Sequence, residues 1–200
     1  SSYKPEFVDN RQGNTLAEAL KTHLDWLGST YATPTELSIA TGYFNPEGYF
    51  LIADQLENLQ KVRLLLGAEP TPSHLRLQRK PGDLRGEAFN AKAVDETLKA
   101  LSEGLAYDRD LLGFSLEIDT KLQKLIDYLG TDSIEVRRYG KGFLHGKAFV
   151  FAEDEGLLSG SSNFTAAGLT TNMELNLGRY DPTPVRQVKQ WFDDYLRCLW

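Results

Sequence analysis

Apolar positions recur along this chain with two periods, and the switches between them mark its elements. Leu16, Leu20, Leu24 and Leu27 recur at helical spacing behind Asn14, a residue type that caps helices, and predict a helix over 14–28. His23 lies beside that stripe and is expected to be a partly buried helix residue rather than a ligand. Alternation over 37–44 predicts a strand ending in Thr41-Gly42-Tyr43-Phe44. Asn45 and Pro46 then have the chemistry of a cap and a first helical turn, with the helix running to about Leu59. Positions 61–67 form a short apolar run suited to a buried sheet position. Strand, helix, strand is a βαβ unit, which predicts an α/β domain.

Downstream, 69–85 carries Pro70, Pro72 and Pro81 among Arg76, Arg79, Lys80 and Arg85, and is expected to be a long solvated connection. Apolar residues return at helical spacing over 88–105 and 109–129, and a strand is expected over 134–139. The run 143–152 alternates strictly, 155–162 reads as a strand that breaks at Gly160, a short helix is expected over 164–169, and a further strand opens at Asn172. Val185, Val188, Phe192, Leu196 and Leu199 form the stripe of a closing helix over 183–199. Trp191, Tyr195 and Trp200 add more apolar surface than one face needs. That surplus suggests a domain cut from a longer protein, or a surface that packs in a dimer. The segment 1–13, with Pro5, is polar and turn-like.

The alternation over 143–152 places His145 and Lys147 on one face of their strand. A neutral imidazole can attack phosphorus and form a covalent intermediate. A lysine beside it supplies a compact positive charge for phosphoryl oxygens. Gly160-Ser161-Ser162-Asn163 then offers backbone N–H groups, hydroxyls and an amide, the neutral donors of an anion site, and the N-terminus of the next helix would add partial positive charge. Glu174 could accept a ring N–H of a histidine and fix its tautomer. Taken singly, His-x-Lys and Gly-Ser-x-Asn are common surface and turn sequences. Their ordered occurrence between His145 and Glu174 makes the set specific.

His145-x-Lys147, Gly160-Ser161-x-Asn163 and Asn172-x-Glu174 together resemble the HKD signature of the phospholipase D superfamily. The resemblance implies a phospholipase D-like mixed β-sheet sandwiched between helices. It also implies a phosphodiesterase that needs no metal or other cofactor. In that family one histidine attacks phosphorus and a second HKD histidine protonates the leaving oxygen. Lys and Asn bind the phosphate, and the trailing Glu orients a histidine. Carried over by position, these roles fall on His145, Lys147, Asn163 and Glu174 only; the Ser161 hydroxyl, from the turn's own donors, is a further candidate phosphate ligand. The family's usual aspartate is replaced by Ala152, with Asp154 following. This departure touches the loop's register rather than the nucleophile. One motif is present: neither His23 nor His74 has a matching Lys and Gly-Ser-x-Asn. In this the chain resembles single-motif bacterial nucleases and a metal-independent restriction endonuclease, which pair two copies, so an isologous homodimer is expected. The span 39–67 also resembles, more loosely, phospholipase D-like domains at the front of bacterial helicase-like proteins, so a downstream helicase domain is a possible partner.

Composition narrows the picture. The chain has 200 residues, 41% of them hydrophobic, enough for one domain with a sizeable core. Its formal net charge of −6 weighs against binding nucleic acid over the whole surface, and leaves room for a local basic groove at Arg137, Arg138 and Lys141. A single cysteine, Cys198, excludes an internal disulfide and fits a reducing cytoplasm. No long apolar run suggests a membrane span. Three functions stay open: a nuclease acting on DNA or RNA, with DNA the expected partner, a non-catalytic module that binds nucleic acid or a DNA end, and a phospholipid hydrolase. The absence of an evident interfacial amphipathic segment counts against the last.

Overall fold

The computed structural model describes residues 3–31, 36–67, 116–139, 144–151 and 155–197. The loop expected over 69–85, the helix over 88–105, Lys141, Ala152, Asp154 and Cys198 lie outside these residues. Among those described, seven strands form one mixed sheet. In chain order they are β1 (Phe7–Val8), β2 (Glu36–Thr41), β3 (Lys61–Leu66), β4 (Ile134–Arg138), β5 (Ala148–Phe151), β6 (Gly156–Gly160) and β7 (Asn176–Arg179). The helices are α1 (Leu16–Thr30), α2 (Pro46–Leu51), α3 (Ala53–Glu57), α4 (Leu116–Leu129), α5 (Ala166–Thr170) and α6 (Pro182–Arg197).

The sheet order is β1-β7-β6-β5-β2-β3-β4. Strands β2, β3 and β4 run parallel, and the remaining pairs are antiparallel. The expected βαβ unit is present: Leu37 pairs with Val62 and Ile39 with Leu64 across the crossover. Alternation sorts the side chains between two cores. Leu37, Ile39, Val62, Leu64, Phe149, Phe151 and Leu158 face helices α1 to α5, while Ala40, Leu65, Ala148, Val150 and Leu157 face α6. Helices therefore cover both faces, as the α/β sandwich requires, and the central strands are apolar on both sides.

Several boundaries differ from the sequence expectation, each for a local reason. Thr15, not Asn14, caps α1. It forms a capping box with Glu18, while the Asn14 amide donates to Asp9 at 2.9 Å. The helix passes Gly28 and ends at Thr30. Asn45 caps α2 with Pro46 in its first turn, as expected, but the helix breaks at Ile52, whose fully buried β-branched side chain leaves helical dihedrals. His23 is completely buried rather than partly so. The N-terminal segment contributes an edge strand that the sequence does not announce. Two residues are too few for periodicity to register, and β1 is held to β7 by backbone pairing, a Gly178 N–H bond to Glu6 O at 2.9 Å, and the Tyr180 hydroxyl donating to Pro5 O at 2.7 Å.

Candidate active site

The site residues collect at the carboxyl ends of the parallel strands, where β5 begins, β6 ends and β7 begins. Ligands in α/β sheets commonly bind at this edge. Strand β5 starts at Ala148, so His145 and Lys147 lie just ahead of the strand rather than within it. The alternation nevertheless continues backward. Leu144 packs into the α6 core, and Gly146 lies so close to that helix that a Cβ there would fall 2.7 Å from the Trp191 ring. Trp191 thus backs the segment from one side and leaves the other to His145 and Lys147.

His145 is exposed and Lys147 is buried. The Lys147 ammonium donates to His145 O at 2.9 Å. The Lys147 carbonyl accepts from the Ser159 hydroxyl at 2.8 Å, which fixes the backbone against β6. Burial lowers the Lys147 pKa from its ordinary value, and the negative charge of Glu174 partly offsets this. A desolvated ammonium facing one carboxylate is a strong anchor for an incoming anion.

The Gly-Ser-Ser-Asn turn is tied at each serine and at the asparagine. The Ser161 hydroxyl donates to Glu174 in a short contact and accepts from Leu175 N–H at 3.0 Å. Its proton is thereby committed to the carboxylate, and Ser161 positions Glu174 in this structure. Fully buried Ser162 accepts from Asn176 Nδ2 at 2.8 Å, and its N–H lies 3.4 Å from Asn176 Oδ1. Asn163 Oδ1 accepts from Tyr43 N–H at 3.1 Å. A backbone N–H can only donate, so this contact fixes the orientation of the amide and leaves its NH2 as the group Asn163 offers to an anion. Thr41 braces the same corner. Its hydroxyl donates to Tyr43 O at 2.7 Å and accepts from Phe164 N–H at 2.9 Å.

Two expected donors are engaged elsewhere. The amides of Ser161 and Ser162 bond to Leu175 O and Asn176 within the protein. Helix α5 is short, and two of its first N–H groups are already engaged, Ala166 N–H by Asn45 Oδ1 at 3.0 Å and Gly168 N–H by Thr165 Oγ1 at 3.0 Å. Strand β7 opens at Asn176 rather than Asn172, because the residues between them carry the links to Ser161 and Glu174. The Glu174 carboxylate takes Ser161 and, at 3.4 Å, the Asn172 amide.

The basic residues are less concentrated than their sequence positions suggest. Arg137 and Arg138 end β4, three strands from β5 and so about 15 Å away at normal strand spacing. Arg137 pairs with Glu135 at 2.7 Å, and burial lowers the Arg138 pKa. Sequence reasoning missed Thr41, Tyr43 and Asn176, and read Ser162 as a donor to an anion rather than as the partner of Asn176. Asn176, a polar residue at the inward position of a strand, is the one signal that could have been noticed. Among the described residues, no group of three or more His, Cys, Asp and Glu side chains is placed to hold a metal ion, and no helix is long and apolar enough to cross a membrane.

A mixed sheet sandwiched by helices, with an HKD-type segment at the strand ends, defines a class, and comparison identifies it. The chain belongs to the phospholipase D-like family: residues 31–196 match the family described as "Cardiolipin synthase, PLD-like domain". No curated protein matches it in sequence. Among solved structures it is similar to phosphatidylserine synthase from Haemophilus influenzae Rd KW20, with 20% identity, 97% of this chain and 38% of that one covered, and a TM-score of 0.52. Polyphosphate kinase from Porphyromonas gingivalis follows at 10% identity, with 98% and 23% covered and a TM-score of 0.54. NucT from Helicobacter pylori aligns at 15% identity over 90% of this chain and 89% of that one, with a TM-score of 0.49. At these identities the likenesses to the synthase and the kinase speak to fold alone. Family membership supports an enzyme acting on phosphodiesters.

Proposed function

We propose that the chain is a nuclease that hydrolyses nucleic-acid phosphodiesters through a phosphohistidine at His145. The observation that carries this reading is an exposed His145 whose own carbonyl holds the buried Lys147 ammonium, at the sheet edge where Tyr43 orients the Asn163 amide. The ammonium and the Asn163 NH2 can hold non-bridging oxygens while His145 attacks in line. A P–N bond forms as the P–O bond to the leaving group breaks. The leaving oxygen needs a proton, and a second copy of the chain supplies it from its own His145. That imidazole then takes a proton from water, the hydroxide displaces His145 from phosphorus, and the site is restored. Lys147 and Asn163 supply the charge stabilisation that a metal would otherwise provide, so the reaction is expected to proceed in chelator.

The test is cleavage of single-stranded and plasmid DNA in excess EDTA, wild type beside His145→Ala. Cleavage by wild type alone supports the proposal. Cleavage by both, or only when a divalent ion is added, sinks it. Light scattering tests the second copy: a species of 22.5 kDa that is fully active would remove the shared site. The family's description as a cardiolipin synthase favours a second reading, in which the diester is a phospholipid. Headgroup release from anionic vesicles by a chain that leaves DNA intact would select it. Saturable DNA binding without cleavage would instead select a binding module.

A further inference from the structure

We propose that Tyr43 is a base-stacking platform, and hence that the chain acts on single-stranded rather than duplex nucleic acid. This rests on the nuclease reading and adds a substrate class to it.

Tyr43 follows the carboxyl end of β2 and has its backbone fixed on both sides. Its N–H donates to Asn163 Oδ1 at 3.1 Å, and its carbonyl accepts from the Thr41 hydroxyl at 2.7 Å. The next residue, Phe44, turns inward, its ring centroid 5.3 Å from that of buried Phe164, and the two residues form a parallel bridge. With Phe44 held inside, Tyr43 is left 48% exposed. Single exposed aromatics are ordinary on protein surfaces. This one differs in that its own amide orients the asparagine assigned to the phosphate. A base hangs one sugar away from its phosphate, a span comparable to that between a tyrosine ring and its amide. A phosphate held by Asn163 therefore brings a neighbouring base within reach of the ring.

The charge distribution leads to the same place. Nucleic-acid affinity normally comes from phosphate neutralisation, which falls steeply with salt. This chain carries a formal net charge of −6, Arg137 is paired with Glu135, and Lys147 is buried with Glu174 nearby. Among the described residues, Arg137 and Lys147 are thus each matched by a carboxylate rather than left to follow a duplex backbone. Stacking on an aromatic ring supplies affinity without charge, tolerates any base, and needs that base unpaired.

The test measures binding of labelled oligothymidylate and of an abasic oligomer of equal length, by anisotropy, in the non-cleaving His145→Ala background. Tyr43→Ala and Tyr43→Phe are compared with Tyr43. The expected result is about tenfold or greater weakening on oligothymidylate for Tyr43→Ala. Tyr43→Phe keeps the ring and should stay within about twofold, and the abasic oligomer should bind all three alike. In the otherwise unaltered chain, Tyr43→Ala should raise KM more than it lowers kcat. Equal losses on both oligomers, or a Phe variant as weak as the Ala variant, overturn the platform. Duplex bound more tightly than single strand does the same. If single strands are cleaved with no dependence on Tyr43, the platform fails and the nuclease survives. If no nucleic acid is bound at all, both fail.

Discussion

Two histidines sit at opposite ends of β5 and show how one side chain is put to two uses. His145 precedes the strand, exposed to solvent and beside the Lys147 ammonium. His23, on α1, packs at the far end, where its ring meets Phe151 edge-on at 4.4 Å. It is fully buried, stacked with Trp26 and close to Tyr180, and its Nδ1 lies 2.6 Å from Tyr3 O. Nε2 has no hydrogen-bond partner. A carbonyl can only accept, so Nδ1 carries the proton and the ring is held in one neutral tautomer. Burial and a single fixed contact make His23 a strut for the N-terminal arm. Exposure and neighbouring donors are what let an imidazole exchange protons and reach a substrate.

The comparison breaks most sharply under alanine. His145→Ala should lower kcat/KM by about 10^4-fold and leave the unfolding midpoint unchanged. His23→Ala should do the reverse, costing roughly 2–4 kcal/mol of stability through an aromatic-lined cavity and an orphaned Tyr3 carbonyl, with little change in the activity of the folded fraction. Steady-state kinetics and urea titration on both variants decide it, and a large stability loss at His145 would undo the distinction. Next in size is Lys147→Met. An unbranched apolar chain fills the same space without a charge to desolvate, so stability should move by less than about 1 kcal/mol while kcat/KM falls about 10^2- to 10^3-fold. Activity within about threefold of wild type would remove Lys147 from the site.

Acid should separate the two ends of β5 as well. Burial disfavours the imidazolium and lowers the His23 pKa, and Lys4 acts in the same direction. The Tyr3 carbonyl and Glu155 oppose them. The unfolded chain takes up this proton near pH 6.5, at about the ordinary value, whereas the folded chain resists it until lower pH. The stability due to a neutral His23 is therefore complete above about pH 6.5 and declines as pH falls toward the folded value, by at most about 1.4 kcal/mol per pH unit. His23→Phe keeps the edge-on packing on Phe151 and removes the titration. Its unfolding free energy should fall less between pH 7.5 and 5 than that of wild type. Parallel curves would mean that His23 does not titrate on unfolding.

Periodicity made the core legible because the central strands are apolar on both faces and the long helices carry clean stripes. Leu37, Ile39, Val62 and Leu64 on one side, and Val185, Phe192 and Leu196 on the other, are buried where the pattern puts them. The chemistry-bearing residues could be named because their types are uncommon in that order. The tying residues could not. Tyr43 and Asn163 meet only because β2 lies two strands from β6, and no local pattern encodes that adjacency. A serine hydroxyl looks the same in sequence whether it faces a ligand or, as Ser161 does, a carboxylate of its own chain. The edge strand β1 escaped for a related reason: long-range pairing makes it, not its own two side chains.

Asn10 is the smallest and most specific test of that last point, since it reaches the site only through the fold. It has positive φ (60°), a conformation asparagine tolerates better than most residues. Its Oδ1 accepts from Leu16 N–H at 2.9 Å, and its Nδ2 donates to Gly168 O at 2.9 Å and Asn172 O at 3.0 Å. One side chain thus joins the start of α1 to the end of α5 and to the segment that presents Glu174. Asn10→Ala removes three hydrogen bonds and places a Cβ-bearing residue without a polar side chain at positive φ, which should cost on the order of 2 kcal/mol. Asn10→Gly removes the same bonds without the backbone penalty and should recover about 1 kcal/mol of that loss. Both variants should lower kcat by the same few-fold factor, because both release Asn172 and with it the approach to Glu174. Were activity to follow stability instead, with the glycine variant nearly wild type in kcat, Asn10 would be a backbone device alone. The position of Glu174 would then be set by Ser161 without help from the N-terminal arm.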